Sequence, residues 1–444
     1  MTNDLRFPPG FIWGVATAAH QVEGGTTNNQ WYAWEDQGGI ATGERAGLAS
    51  DWWAHAEADF DRAKDMGING LRLSLEWSRI EPEENHWDDA AIARYRAMLQ
   101  GLRARDIEPM VTLHHFTTPL WLDRRGGFAT DAAIPLFARF VGRCVAAFGD
   151  LCDFWCTINE LNVYATLGYI TGIFPPGHKG DARTAVRVQG TLLRAHAAAY
   201  HALHDAQPAA RVGLAHAMQI FDPAANRPQD RFVAYWQDAG FNGIVIDALA
   251  RGRARGPIGL LTGDLSGVRG TFDYMGLNYY TRELVAFDLG KAAELFGRRF
   301  TAPGAERQDQ GASGGLGGEI YPDGLRRLLL RLNALGRPLY VTENGTADAA
   351  DTRRPSALVR TLVAAHRAID QGADLRGYYH WSLVDNFEWA EGWSARFGLI
   401  GLDPTTQERT TRESANVYAR ICHADAIPAD VLERYGQGPH STSG

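Results

Sequence analysis

Two short stretches carry the residues best suited to chemistry. In RPLYVTENGT, Arg337 to Thr346, the five residues Pro338 to Thr342 are apolar, aromatic or β-branched. They read as a short strand buried on both faces. Glu343 follows at its end, then Asn344 and Gly345, a turn pair. DFWCTINE, Asp153 to Glu160, has the same form: aromatic and β-branched residues, then Asn159, then Glu160. A carboxylate closing a buried strand is unfavourable unless it is paired or hydrogen-bonded. One such Glu reads as a member of a structural ion pair. Two strands that each deliver a Glu from the same end suggest a paired-carboxylate site, in which one carboxyl stays protonated near neutral pH and the other stays ionised. Arg72, if it faces the same mouth, would hold Glu343 ionised.

Eight strands alternate with the helices that must position these groups. The strands are Phe11 to Thr17, Ile68 to Trp77, Ile107 to His115, Asp153 to Glu160, Arg211 to Met218, Phe272 to Thr281, Pro338 to Thr342 and Leu375 to Leu383. Helices are predicted over about 50–66, 88–105, 131–148, 181–206, 230–250, 322–335 and 354–371. In the first, Trp53, Ala56, Phe60, Ala63 and Met66 fall on one face. Trp31 and Trp34 fall in a polar, Gly-rich loop. Residues 285–318, which end in ASGGLGG, read as a mobile loop over one end of the fold. Buried strands with crossover helices imply a parallel sheet. Eight such units without a Gly-rich dinucleotide fingerprint favour an α/β fold, a closed (β/α)8 or TIM barrel, with its active site at the C-terminal ends of the strands. We expect one catalytic domain over residues 1–436 and a disordered tail over 437–444.

Composition narrows the function classes. Of 444 residues, 45% are apolar and 22% charged, as in ordinary globular proteins. A net charge of −8 argues against nucleic acid or an anionic membrane as the main partner. No apolar run approaches the ~20 residues of a membrane span. MTNDLRFPPG has no basic region followed by an apolar run, so no signal peptide is expected. Cys144, Cys152, Cys156 and Cys422 lack zinc-type spacing with His and read as free buried thiols in a reducing compartment. The expected location is the cytoplasm. His114 and His115 are adjacent on a strand and point to opposite faces, so they do not form a metal pair. No metal or other cofactor is expected.

The strand ends bring polar and aromatic residues to one mouth: Gln21, then Arg72 and Glu76, His114 and His115, Asn159 and Glu160, Asn278, Tyr279 and Tyr280, Glu343, and Trp381, with Glu388 and Trp389 in the next loop. Such a set suits a polyhydroxylated ring, with polar side chains for the hydroxyls and an aromatic platform for the C–H face. Two carboxylates across such a mouth can hydrolyse a glycosidic bond. A gap of about 5–5.5 Å gives retention and one of about 6.5–9.5 Å gives inversion. Other candidates have plainer readings. Tyr279 alternates away from Tyr280. Glu23 and Glu76 suit ion pairs, and Trp52 and Trp53 suit helix packing. His196, His201 and His204 suit packing or the surface.

TINEL (Thr157 to Leu161) and VTENG (Val341 to Gly345) resemble the acid/base and nucleophile motifs of glycoside hydrolase family 1, the β-glucosidase family. HQVEG, LRLSLEWSRI, GLNYYT and WSLVDNFEWAEGW match that family in order and spacing, over essentially residues 5–423. The resemblance implies a retaining exo-β-glycosidase acting on small β-glycosides or short oligosaccharides by double displacement. Glu343 would be the nucleophile and Glu160 the general acid/base. Asn159 would bond the sugar 2-hydroxyl, and Arg72 and Tyr280 would orient Glu343, with Asn278 nearby. Gln21, His115, Glu388 and Trp389 would bind the remaining hydroxyls, Trp381 would lie under the ring and Phe397 would line the pocket. Glu388 would repel a phosphate, which favours unphosphorylated sugars. The same site could pass the glycosyl group to an alcohol or sugar acceptor. An inactive sugar-binding barrel would be expected to have lost one of the two carboxylates, and both are present. The sequence departs from the family at Phe116-Thr117, where Trp-Asp is usual, at Leu161, where Pro is usual, and at Gly318, where Trp is frequent.

Overall fold

In a computed structural model of the chain, which describes residues 3–291 and 296–438, eight parallel strands close into a barrel. They are β1 Ile12–Ala16, β2 Gly70–Ser74, β3 Glu108–His114, β4 Phe154–Asn159, β5 Arg211–Pro223, β6 Tyr274–Phe287, β7 Leu339–Asn344 and β8 Leu375–Trp381. Each pairs with the next in chain order, and β8 returns to β1 with Tyr378 opposite Trp13. The (β/α)8 architecture read from the alternation is the one observed. The strands are apolar on both sides because one face meets the barrel interior and the other meets the helices. Interior space is tight. A Cβ on Gly14 would lie 2.3 Å from the ring of Tyr379, so only glycine lets β1 and β8 approach with that ring between them.

Four local expectations change. Helix α1, Trp52–Asp65, buries Trp52 rather than Trp53 with Ala56, Phe60 and Ala63. Either Trp fits the spacing. Trp52 wins because its indole N–H donates to buried Asp59 at 2.8 Å, while Trp53 lies beneath the Arg79 guanidinium, 4.0 Å from its centroid. Trp31 and Trp34 belong to a helix, Gln30–Asp36, whose start is capped by Asn29 Oδ1 accepting the Tyr32 N–H at 2.9 Å. The helical region expected over 230–250 is Pro228–Asp238 and Ile244–Arg251, joined by a π turn over Ala239–Gly243. There the Asn242 amide bonds Gln219 O and Asp238.

The fourth change is the segment 285–318. β6 runs on to Phe287 and pairs antiparallel with Gly297–Phe300. Farther on, Gln308 donates to Tyr280 O at 3.1 Å and accepts from the Ala347 N–H at 3.1 Å. Glu391 accepts from the Ser313 N–H at 2.7 Å. Residues 292–295 lie outside the described residues; the rest of the segment is anchored to the strands and loops of the mouth. Of the tail expected to be disordered, Ser356 Oγ reaches Gln437 O at 3.3 Å, and residues 439–444 lie outside the described residues. Among the described residues, no helix is long and apolar enough to cross a membrane.

Candidate active site

Arg72 stands inside the barrel, level with Ala16 on β1 and Met110 on β3, and is fully buried. Its Nη1 donates to Glu343 Oε1 at 2.6 Å and its Nη2 to Asn159 Oδ1 at 2.6 Å, while Nε donates to Thr112 Oγ1 at 3.0 Å. One guanidinium thus ties together the C-terminal ends of β4 and β7. A buried cation needs such a fork of acceptors, and the planar geometry of arginine supplies the matching donors.

Glu343 lies inside β7 as the residue before its last, not just beyond the strand. Its second oxygen accepts the Tyr280 hydroxyl at 2.8 Å. Glu160 is the residue after β4, at φ +46°, and its N–H donates to Ala215 O on β5 at 2.7 Å. Few L residues adopt this left-handed conformation, which marks a local constraint on the turn that presents the carboxyl. Glu160 Oε1 accepts from Asn278 Nδ2 at 2.9 Å, and the same amide reaches Asn159 Oδ1 at 3.0 Å. Asn278 Oδ1 accepts the Thr342 hydroxyl at 2.6 Å. Asn278, opposite Glu343 in the β6–β7 pairing, is therefore the junction of both motifs.

The electrostatics separate the two carboxyls. Burial, then the charge of Glu343, pushes Glu160 up to about 8. Burial also raises Glu343, with the Arg72 cation and the Tyr280 hydroxyl pulling against it. Among the described residues Glu160 accepts a side-chain hydrogen bond only from the neutral Asn278 amide, so of the pair Glu160 is the one that keeps its proton.

The facing wall is built from the loops after β1, β3 and β8. Gln21, in the short helix Ala19–Val22, donates to Asn386 Oδ1 at 3.0 Å and to Glu388 Oε2 at 3.1 Å. Burial, then the charge of Glu343, raises Glu388 to about 8. Asn159 Oδ1 is taken by Arg72 and Asn278, so its Nδ2 donates to His115 Nε2 at 3.1 Å. Burial, then Arg72, drives the His115 imidazole well below its ordinary range, so the ring is neutral with its proton on Nδ1. His115 Nδ1 and Gln21 Oε1 are buried without a hydrogen-bond partner among the described residues. Trp381 and Trp389 both lie nearly parallel to the His115 ring, at 6.0 Å. The Phe397 ring stands edge-on to Tyr280, also at 6.0 Å. Phe116, at φ +67°, turns its ring edge toward Trp389 and gives its carbonyl to Gln30 Nε2 at 2.7 Å.

All the residues carried over from the resemblance are therefore gathered at one end of the barrel. Others are directed elsewhere. His114 packs between Phe128, Phe137 and Tyr164 with neither nitrogen bonded among the described residues. The Tyr279 hydroxyl donates to Tyr321 O at 2.6 Å, away from the site. Glu23 pairs with Arg79 at 2.8 Å, and Glu76 accepts the Ser78 N–H and hydroxyl. His196 is buried on Thr157 and Thr271 O, while His204 pairs with Asp273. Thr112, Thr342, Asn386 and Gln308 were not singled out by sequence reading. Thr342 and Asn386 lie inside the quoted motifs but carry no role there by type alone. Strand register sets Thr112 beside Arg72 and Thr342 beside Asn278, whereas Asn386 and Gln308 lie in loops and are placed by their bonds to Gln21 and to Tyr280 O.

A family model described as glycosyl hydrolase family 1 matches residues 3–426. The chain is 32% identical over 491 residues to a β-galactosidase of Saccharolobus solfataricus, covering 98% of each chain. It is similar to the solved structure of a β-glycosidase from Pyrococcus horikoshii, with a TM-score of 0.89 and 35% identity over 98% of this chain and 99% of that one. It is also similar to a β-glucosidase from Thermotoga maritima in complex with deoxynojirimycin, with a TM-score of 0.88 and 29% identity over 95% of this chain and 99% of that one.

Proposed function

This chain belongs to glycosyl hydrolase family 1, and from that premise we propose that it is a retaining exo-acting β-glycosidase that removes the terminal non-reducing sugar of small β-glycosides. The observation that carries the assignment of roles is the asymmetry of the two carboxyls. Glu343 bonds a buried guanidinium, whereas Glu160 accepts its side-chain hydrogen bond from a neutral amide. In the first step Glu343 attacks the anomeric carbon while Glu160 protonates the departing glycosidic oxygen, leaving a covalent glycosyl-enzyme. In the second step Glu160 takes a proton from water, whose oxygen attacks the same carbon and releases Glu343. Asn159, His115, Gln21 and Glu388 bind the sugar hydroxyls. The buried His115 Nδ1 donor and Gln21 Oε1 acceptor, each without a protein partner among the described residues, support that reading. Trp381 and Trp389 supply the apolar faces. We place the protein in the cytoplasm, with four free, buried cysteines in support, and assign it small-molecule rather than nucleic-acid partners on its net acidic charge.

The test is proton NMR of a nitrophenyl β-glucoside with wild type and Glu343→Ala. β-Glucose released first, by wild type alone, is the expected result. α-Glucose released first would show inversion and overturn the role of Glu343. No turnover of any β-glycoside in a panel would overturn the activity itself.

A further inference from the structure

His20 lies one residue before Gln21 and is fully buried, yet neither of its ring nitrogens is free for a ligand. Asn29 Oδ1 already accepts the Tyr32 N–H, so Asn29 Nδ2 donates to His20 Nδ1, at 3.2 Å. The imidazole proton is then on Nε2, which donates to Glu35 Oε1 at 2.8 Å. Glu35 is itself buried, and its second oxygen accepts the Ala46 N–H at 3.1 Å. The ring is held at both nitrogens and cannot turn about χ2 without breaking two buried hydrogen bonds.

What this fixed ring presents is its face. The Trp389 indole lies 5.7 Å away with an interplanar angle of 8°, closer to parallel than its 19° with His115. The Trp389 backbone sits at φ +50°, where a bulky side chain is rare, and the Trp31 indole, nearer at 4.7 Å, meets it tilted by 48° rather than face to face. We propose that His20, locked by Glu35 and Asn29, is a positioning residue that sets the plane of Trp389 in the sugar pocket. The inference rests on the proposed function, since it assigns Trp389 to the sugar. His20 touches no reacting group: it acts on ground-state and transition-state binding alike through the indole. Its loss therefore falls on KM and leaves kcat nearly intact.

The test compares wild type with His20→Ala, His20→Phe and Glu35→Gln, using KM and kcat for a nitrophenyl β-glucoside and calorimetric Kd for the iminosugar deoxynojirimycin. His20→Ala is expected to raise KM and Kd about tenfold with kcat within threefold. His20→Phe, which restores an aromatic face, should recover most of the loss. Glu35→Gln cannot accept both the Ala46 N–H and the His20 N–H, so it loosens the ring and should fall between. A folded His20→Ala with KM and Kd within twofold of wild type would overturn the proposal, as would a loss confined to kcat. If His20→Ala does not fold, unchanged KM and Kd in folded Glu35→Gln would overturn it instead. Absence of hydrolysis by wild type would count against the enzyme reading, and deoxynojirimycin Kd would still decide the role of His20.

Discussion

Arg72 and Glu343 lie 271 residues apart in the chain and meet at 2.6 Å between Nη1 and Oε1, with both side chains essentially out of solvent. Removing one partner of such a pair leaves the other charge buried and alone. Arg72→Met should destabilise the protein by roughly 3–5 kcal/mol and lower kcat/KM by about 10²–10⁴. With its cation gone, Glu343 favours protonation more strongly, so the acidic limb of the pH profile moves to higher pH. Urea titration and a pH series of kcat/KM check both. An unmoved acidic limb would mean that Arg72 does not set the ionisation of Glu343.

Glu160, raised to about 8 by burial and by Glu343, should set the basic limb. The rate of wild type is then bell-shaped in pH and falls as Glu160 loses its proton above that value. Glu160→Ala should abolish this limb while keeping the acidic one. A basic limb that survives in the variant would assign it to another group.

The general-acid role predicts a dependence on the leaving group. A dinitrophenolate departs without protonation, whereas an alkoxide does not. Glu160→Ala should lower kcat/KM by about 10²–10⁴ for an alkyl β-glucoside and by far less for the first step with a dinitrophenyl β-glucoside. Equal losses on the two substrates would argue against proton donation by Glu160.

Stability should fall with rising pH through the same region. Glu160 and Glu388 are both raised to about 8 from an ordinary value of 4.5. The folded state holds protons that the unfolded chain has released, so this contribution is fully present below about pH 4.5 and is lost as pH rises through 8. Glu388→Gln removes one such group and should raise the midpoint of thermal unfolding at pH 9 by about 1–4 °C, with little change at pH 5, while weakening glycoside binding. Scanning calorimetry at both values decides it, and a gain equal at pH 5 and pH 9 would rule out titration as the cause.

Gly345 joins the strand that carries Glu343 to the aromatic wall. A Cβ there would lie 1.9 Å from the Trp381 carbonyl oxygen and 3.4 Å from the Phe397 ring. Gly345→Ala must push β7 and the end of β8 apart, at about 1–3 kcal/mol. Because Glu343 and Trp381 are the displaced groups, kcat/KM should drop by at least tenfold in a protein that still folds. Full activity in the folded variant would show that the spacing of these two strands is not critical.

The strands, their parallel order and the two Glu-bearing motifs were legible in the sequence because each is written locally. A buried parallel strand is a short apolar run, and a Glu closing two such runs announces a paired site wherever the chain later places it. The wall of Gln21, His115, Trp381, Glu388 and Trp389 was legible through strand-end position and family resemblance. Other features depended on contacts that no local pattern encodes. Trp52 and Trp53 fit the helical face equally well, and packing against Asp59 and Arg79 chose between them. The 285–318 segment read as a loop because polar, Gly-rich residues carry no strand signal. A hairpin register with β6 and the anchors at Gln308 and Glu391 organise it instead. Asn278 was visible only as a neighbour. It became the junction because barrel closure sets it opposite Glu343 on one side and within hydrogen-bond reach of Glu160, 118 residues away, on the other. By itself the sequence determined which residue types stand at the strand ends. Which atoms meet, and therefore which carboxyl keeps its proton, was decided by the register of strands distant in sequence and by the burial that register imposes.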